Sequence, residues 1–157
     1  MISVGIDPGS NKTGYAFLEK TEKRIKVLEY GIIQTKRTDS LPNKLKTIFE
    51  KLSELFRIYK PSYLAIETAF VAKYPKAALV LGETRGAIIS VGNLFGIEIH
   101  EYEPRLIKKT ITGVGKATKD QVSFMIQKRL HLKHPPKPSD ASDALAIAYC
   151  FLVRQLH

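Results

Sequence analysis

Met1-Ile2-Ser3-Val4-Gly5-Ile6-Asp7-Pro8-Gly9 opens the chain with a strand that ends on an acid. Ile2, Val4 and Ile6 alternate with Ser3, Gly5 and Asp7, the period of a strand with one apolar face, and Pro8-Gly9 forces a turn. Asp7 therefore stands at a strand end, on the side occupied by Gly5, where a small neighbour leaves room beside the carboxylate. Thr13 to Glu19 and Ile25 to Gln34 read as the second and third strands, joined by a turn at Thr21-Glu22-Lys23. The first part of the chain is an antiparallel meander.

Outward from this meander the period changes. Leu41, Leu45, Ile48, Phe49, Leu52, Leu55, Phe56 and Tyr59 fall on one helical face, and Pro61 ends that helix. Tyr63-Leu64-Ala65-Ile66-Glu67 is a short apolar run rich in strand formers, expected as a buried parallel strand. Glu67 closes it as Asp7 closes the first, and acids at the ends of two core strands of one sheet can meet beyond their carboxyl ends. Residues 76–95 are expected as a helix with apolar residues over too much of its circumference for a simple surface helix. Gly82 and Gly86 give that helix a face for close approach, either by the sheet or by a second copy of the chain.

Ile97 to Tyr102 reads as the last strand, with a short helix from Pro104 through Thr110. A further helix begins at the capping box Thr118-x-x-Gln121. The loop Thr112-Gly113-Val114-Gly115-Lys116-Ala117 admits two readings, a plain connection or a glycine-containing loop that holds a phosphate with Lys116 and Lys119 close by. His131 and His134 have no cysteine or acid at zinc spacing, so solvated or phosphate-facing side chains are expected. The final helix carries Asp140 and Asp143 near one face, with Ser139 as its expected N-cap and Ala141, Ala144, Leu145, Ala148 and Leu152 repeating at helical spacing. Acids at a helix start gain about 0.3–1 kcal/mol each from the dipole, which is one sufficient reason for them.

Composition bounds these readings. With 157 residues, 44% of them hydrophobic and 25% charged, one domain spanning 1–157 with a sizeable core is expected, and a disordered or fibrous chain is excluded. The N-terminus lacks the pattern of a secretory signal, no apolar run reaches membrane-spanning length, and the lone Cys150 forms no intrachain disulfide; a reducing cytoplasm is the expected setting. The net charge of +10 is unevenly spread: +3 over residues 1–103, +8 over 104–138 and −1 over 139–157. A basic segment directly before a pair of acids points to a polyanionic partner. Four carboxylates without cysteine suit Mg²⁺ or Mn²⁺, and two such ions about 3.5–4 Å apart can clamp the attacking and leaving oxygens of a phosphodiester.

Together the motifs are specific. G-I-D-P-G-S-x-x-T-G at 5–14, A-I-E at 65–67 followed by Phe70 and Ala72-Lys73, A-L-V-L-G-E-T-R-G-A at 78–87, K-K-T-I-T-G-V-G-K-A-T-K-D-Q-V at 108–122 and S-D-A-S-D-A-L-A-I-A at 139–148 resemble, in joint order and spacing, the RuvC family of Holliday-junction resolvases. That resemblance runs through essentially the whole chain and implies an RNase H-like α/β fold. Its sheet would be mixed and five-stranded, three strands antiparallel and then two parallel, flanked by helices. It implies Asp7, Glu67, Asp140 and Asp143 as metal-binding catalytic carboxylates, Lys108 and Lys119 as lysines that approach DNA phosphates, and Phe70 as an aromatic stacking on a base. Further implications are Mg²⁺-dependent resolution of four-way DNA junctions by paired nicks, a homodimer, and a branch-migration complex as partner. The chain departs from the family pattern at Tyr74, Ser142 and Phe151, the last two expected beside the site. Two other classes compete: a phosphotransferase of the actin and sugar-kinase type, disfavoured because those folds need two such domains, and a junction-binding protein without catalysis.

Overall fold

The computed structural model describes residues 1–68 and 73–155. Strands β1 (Ile2–Asp7), β2 (Lys12–Lys20) and β3 (Ile25–Gln34) are followed by α1 (Leu41–Tyr59), β4 (Tyr63–Glu67), α2 (Pro75–Leu94) and β5 (Glu98–Tyr102), and then by α3 (Pro104–Thr112), α4 (Lys119–Arg129) and α5 (Ser139–Arg154). The strands form one sheet in the order β3-β2-β1-β4-β5. β1 pairs antiparallel with β2 and parallel with β4, β2 antiparallel with β3, and β4 parallel with β5, which is the mixed sheet that the family resemblance implies.

The period-2 alternation divides the core into two layers. Val4, Ile6, Phe17, Leu64 and Ile66 pack on one face against Ile48, Leu52 and Phe56 of α1 and Ile88 and Val91 of α2. Ala16, Leu18 and Ala65 face the other side, toward α5 with Ile107 and Ile111 of α3 and Val122 and Ile126 of α4. From Ala144 to Leu152 every residue of α5 is buried, as its alanine-rich sequence permits. The helix lies so close to the sheet that a Cβ on Gly5 would stand 2.2 Å from the carbonyl oxygen of Ala144. Only glycine fits that approach, and this is what the small residue before Asp7 makes room for.

Three local expectations are corrected. Ser139 is the first helical residue of α5 rather than its cap; Pro138 holds the N-cap position, the N–H groups of Ala141 and Ser142 both donate to its carbonyl, and no side-chain cap forms. Gly82 and Gly86 do not pack on the sheet: a Cβ on either would meet nothing within 4 Å, and the exposed Leu79 shares their helix. Phe151 is not beside the acids. It is buried three turns into α5, with its ring 5.0 Å from that of Tyr63 and 4.9 Å from that of His100.

Other helix signals act as written in the sequence. Thr118 and Gln121 form both hydrogen bonds of the capping box that starts α4. Lys60 adopts a left-handed conformation at the end of α1, so the chain turns before Pro61.

Candidate active site

The parallel register that pairs Ile6 with Ile66 brings Asp7 and Glu67 to the same edge of the sheet on adjacent strands. On the other side Asp7 pairs with Gly14 of β2, and a Cβ at Gly14 would overlap the backbone of Asp140. α5 therefore crosses the strand ends with its first two turns above Asp7. Asp7, Glu67, Asp140 and Asp143 line one cavity of about 400 Å³, together with Lys108 of α3 and Lys119 of α4. Its floor is apolar, built from Ile107, Val122, Ala146 and Ile147. All four acids are half-buried.

Burial and mutual repulsion dominate the electrostatics. Asp7 is pushed up to about 7, first by burial and then by the charges of Asp143, Asp140 and Glu67, with Lys119 opposing. Burial and Asp143 raise Glu67, while Lys108, Lys119 and Arg85 pull it back. Lys119 lies 3.2 Å from Asp143 Oδ2 and is raised mainly by that carboxylate. Among the described residues no three His, Cys, Asp or Glu side chains close into a group that grips a metal as they stand. The donor chemistry nevertheless fits a hard divalent cation: four carboxylates share one cavity, and Asp7 is raised by burial and then by its three acidic neighbours, both of which a bound cation would offset.

The other sequence candidates separate clearly. Lys116 is exposed and does not line this cavity. The glycines around it serve the chain: Gly113 ends α3 at φ +83°, and a Cβ on Gly115 would stand 2.8 Å from Arg105 Cγ, which favours the plain-connection reading. His131 and His134 are exposed. Phe70 lies outside the described residues. Ser142 is buried beside Asp143 and lines a neighbouring cleft, and Tyr74 is exposed at the start of α2.

One residue of the site had no role in the sequence reading. Arg85 of α2 is 8% exposed, and its guanidinium donates to the backbone carbonyl of Glu67 and to the Glu101 carboxylate. It ties the end of β4 to β5. The available signal was a lone arginine on the same helical face as Ile88, Val91 and Gly92, where an apolar residue would be expected.

A mixed five-stranded sheet with acids at adjacent strand ends and a helix crossing them is the RNase H-like class of fold. The family described as crossover junction endodeoxyribonuclease RuvC matches residues 3–151. This chain belongs to that family. Crossover junction endodeoxyribonuclease RuvC of Chlorobaculum parvum is 42% identical over 98% of this chain and 82% of its own length, and that of Saccharophagus degradans is 44% identical over 98% and 88%. Among solved structures, Thermus thermophilus RuvC in complex with Holliday junction substrate superposes with a TM-score of 0.91 at 28% identity, covering 99% of this chain and 96% of that one. The yeast mitochondrial Holliday junction resolvase Ydc2 shares the fold at a TM-score of 0.70 and 14% identity, covering 98% of this chain and 78% of that one.

Proposed function

We propose that this protein is a Mg²⁺-dependent endonuclease that resolves four-way DNA junctions by paired symmetric nicks, acting as a homodimer of single-domain subunits spanning residues 1–157. One observation carries the reading: in a chain of this family, four acids from β1, β4 and α5 line one cavity with two lysines at its rim. Asp7, Glu67, Asp140 and Asp143 would hold the cations, with Mn²⁺ able to replace Mg²⁺. Divalent ions bound there supply the charge that lets water displace one oxygen of a phosphodiester in line, leaving 5′-phosphate and 3′-hydroxyl ends. Lys119, held at the rim by Asp143, and Lys108, one turn into α3, steady the phosphate and offset the charge that builds on its oxygens. Phe70, three residues after Glu67, is assigned to stacking on a base near the junction centre.

The open face of α2 supports the dimer. Gly82 and Gly86 have free space over them and Leu79 is 68% exposed beside them, so a second copy can approach closely along this helix. The reading includes a branch-migration complex as partner, on family membership alone. No described helix is long and apolar enough to cross a membrane. A cytoplasmic setting belongs to the same proposal, supported by the single buried Cys150.

Incubation with a synthetic four-way junction, with Mg²⁺ and with chelator, tests the proposal. Paired symmetric nicks in Mg²⁺ are expected from the unaltered chain, while Asp7→Asn or Asp143→Asn binds the junction and leaves it intact. Cutting at the unaltered rate by either variant overturns the site, and binding without nicks by the unaltered chain makes this a non-catalytic junction-binding protein.

A further inference from the structure

Asp140 borders two cavities. The second has a volume of about 440 Å³ and is lined, besides Asp140, by Gly9, Ser10 and Asn11 of the β1–β2 turn, Lys12 at the start of β2, Gln34 at the end of β3, and Thr35 and Arg37 just beyond it. Its frame is held firmly. The Thr35 hydroxyl donates to the Ser10 carbonyl at 2.5 Å, the Thr35 N–H to the Asn11 carbonyl at 3.0 Å, and the Thr13 hydroxyl to the Gly9 carbonyl at 2.7 Å. Lys44 of α1 donates to Asn11 Oδ1 at 2.8 Å, which places a third cation against the turn.

With those acceptors occupied inside the protein, the lining is rich in donors. Lys12 and Gln34 are direct partners across the β2–β3 ladder and both are exposed, as is Arg37. Among the described residues neither Lys12 nor Arg37 takes part in an ion pair. An ammonium, a guanidinium and an amide around one hollow match an anion with several oxygens. Opposite them, across Asp140, lie Lys108 and Lys119. A polyanion crossing the acid cluster therefore meets cations on both sides.

We propose that this second cavity is a phosphate subsite, in which Lys12 and Arg37 hold a backbone phosphate of the strand being cut, on the far side of Asp140 from Lys108 and Lys119. The assignment rests on the nuclease reading above and adds to it a path for the strand, from α3 and α4 across the first turn of α5 to the end of β3.

The test is equilibrium binding of the full chain to a synthetic four-way junction in chelator over a series of salt concentrations. Lys12→Ala, Arg37→Ala and the double variant are compared with Lys23→Ala, an exposed lysine removed from the β2–β3 turn at the opposite end of the sheet. Lys12 and Arg37 share one phosphate, and a lost duplex-phosphate contact lowers the slope of log affinity against log salt by about 0.9, so the double variant is expected to lose about one and to bind several-fold more weakly in moderate salt. A second arm places single neutral methylphosphonates along the strand near the cut. At one position the neutral group weakens the unaltered protein and has no effect on the double variant. A double variant with the affinity and slope of Lys23→Ala overturns the subsite, as does the lack of any position whose effect vanishes in the double variant. Cleavage in Mg²⁺ is read in parallel. Cutting with unchanged slopes sinks the subsite alone, whereas altered slopes without cutting sink the nuclease reading and support a phosphate subsite in a binding protein.

Discussion

A Cβ placed on Gly14 would lie 1.9 Å from the carbonyl oxygen of Asp140. Because Gly14 is also the cross-strand partner of Asp7, one missing side chain sets the distance between two of the four acids. Gly14→Ala must push the start of α5 off the sheet. The expected outcome is a stability loss of about 1–3 kcal/mol from overpacking. A displacement near 1 Å further implies cleavage slower by about 10²-fold. Thermal melting and single-turnover cleavage measure the two effects, and cleavage within a few-fold of the unaltered rate would show that α5 is not seated by this contact.

Asp7 ties stability to pH. Its folded value is about 7 against an ordinary 3.8, so the folded chain binds this proton more tightly than the unfolded chain does. That contribution is complete below the unfolded value, declines as pH rises from about 4, and is gone above about 7. In chelator, Asp7→Asn is therefore expected to melt higher than the unaltered chain at pH 8, by on the order of 1–3 kcal/mol, with the gain gone near pH 3. Mg²⁺ at pH 8 should raise the unaltered melting temperature and leave that of Asp7→Asn nearly unchanged. Equal melting of the two chains at pH 8 in chelator would mean that Asp7 carries no such strain.

Lys119 answers the same repulsion from the other side. Its ammonium lies 3.2 Å from Asp143 and also acts on Asp7 and Glu67. Lys119→Met should leave junction affinity within several-fold, since one phosphate contact among many is lost, while slowing cleavage by about 10²–10³-fold. Lys119→Arg keeps the charge and is expected to recover part of the rate. Parallel binding and cleavage measurements decide; a fall in binding as large as the fall in rate would assign Lys119 to affinity alone.

Arg85 is expected to matter through the strand it anchors. Arg85→Ala leaves the Glu67 carbonyl and the Glu101 carboxylate without this donor, at a cost of about 1–3 kcal/mol. Arg85→Lys should restore less than half of that, because an ammonium lacks the fork that spans two acceptors. Denaturant melts give the stability terms. The rate of Arg85→Lys at saturating Mg²⁺ then reports whether Glu67 has moved.

The strands were legible because each carries a local signal. Alternation marks β1, Pro8-Gly9 its end, and the apolar run at 63–67 a strand buried on both faces. The capping box at Thr118 is equally local, and both of its hydrogen bonds are present. Gly82 and Gly86 were ambiguous since a glycine pair leaves room for a close approach without specifying what approaches, and the space above them is empty in the single chain. Ser139 misled for a similar reason: its residue type suits a cap, but the backbone turns one residue earlier, at Pro138.

By itself the sequence determined the elements, the two acids at strand ends, the two acids on the last helix and the basic segment before them. All of these are set by the spacing of residues within a few turns of chain. Only the tertiary structure decided that Gly5 and Gly14 let α5 lie on the strand ends, that Arg85 reaches the Glu67 carbonyl, and that Lys12 and Arg37 share a cavity with Asp140. Those relations join residues from 18 to more than 120 positions apart, and they follow from parallel register and close helix-to-sheet packing, which no local pattern encodes.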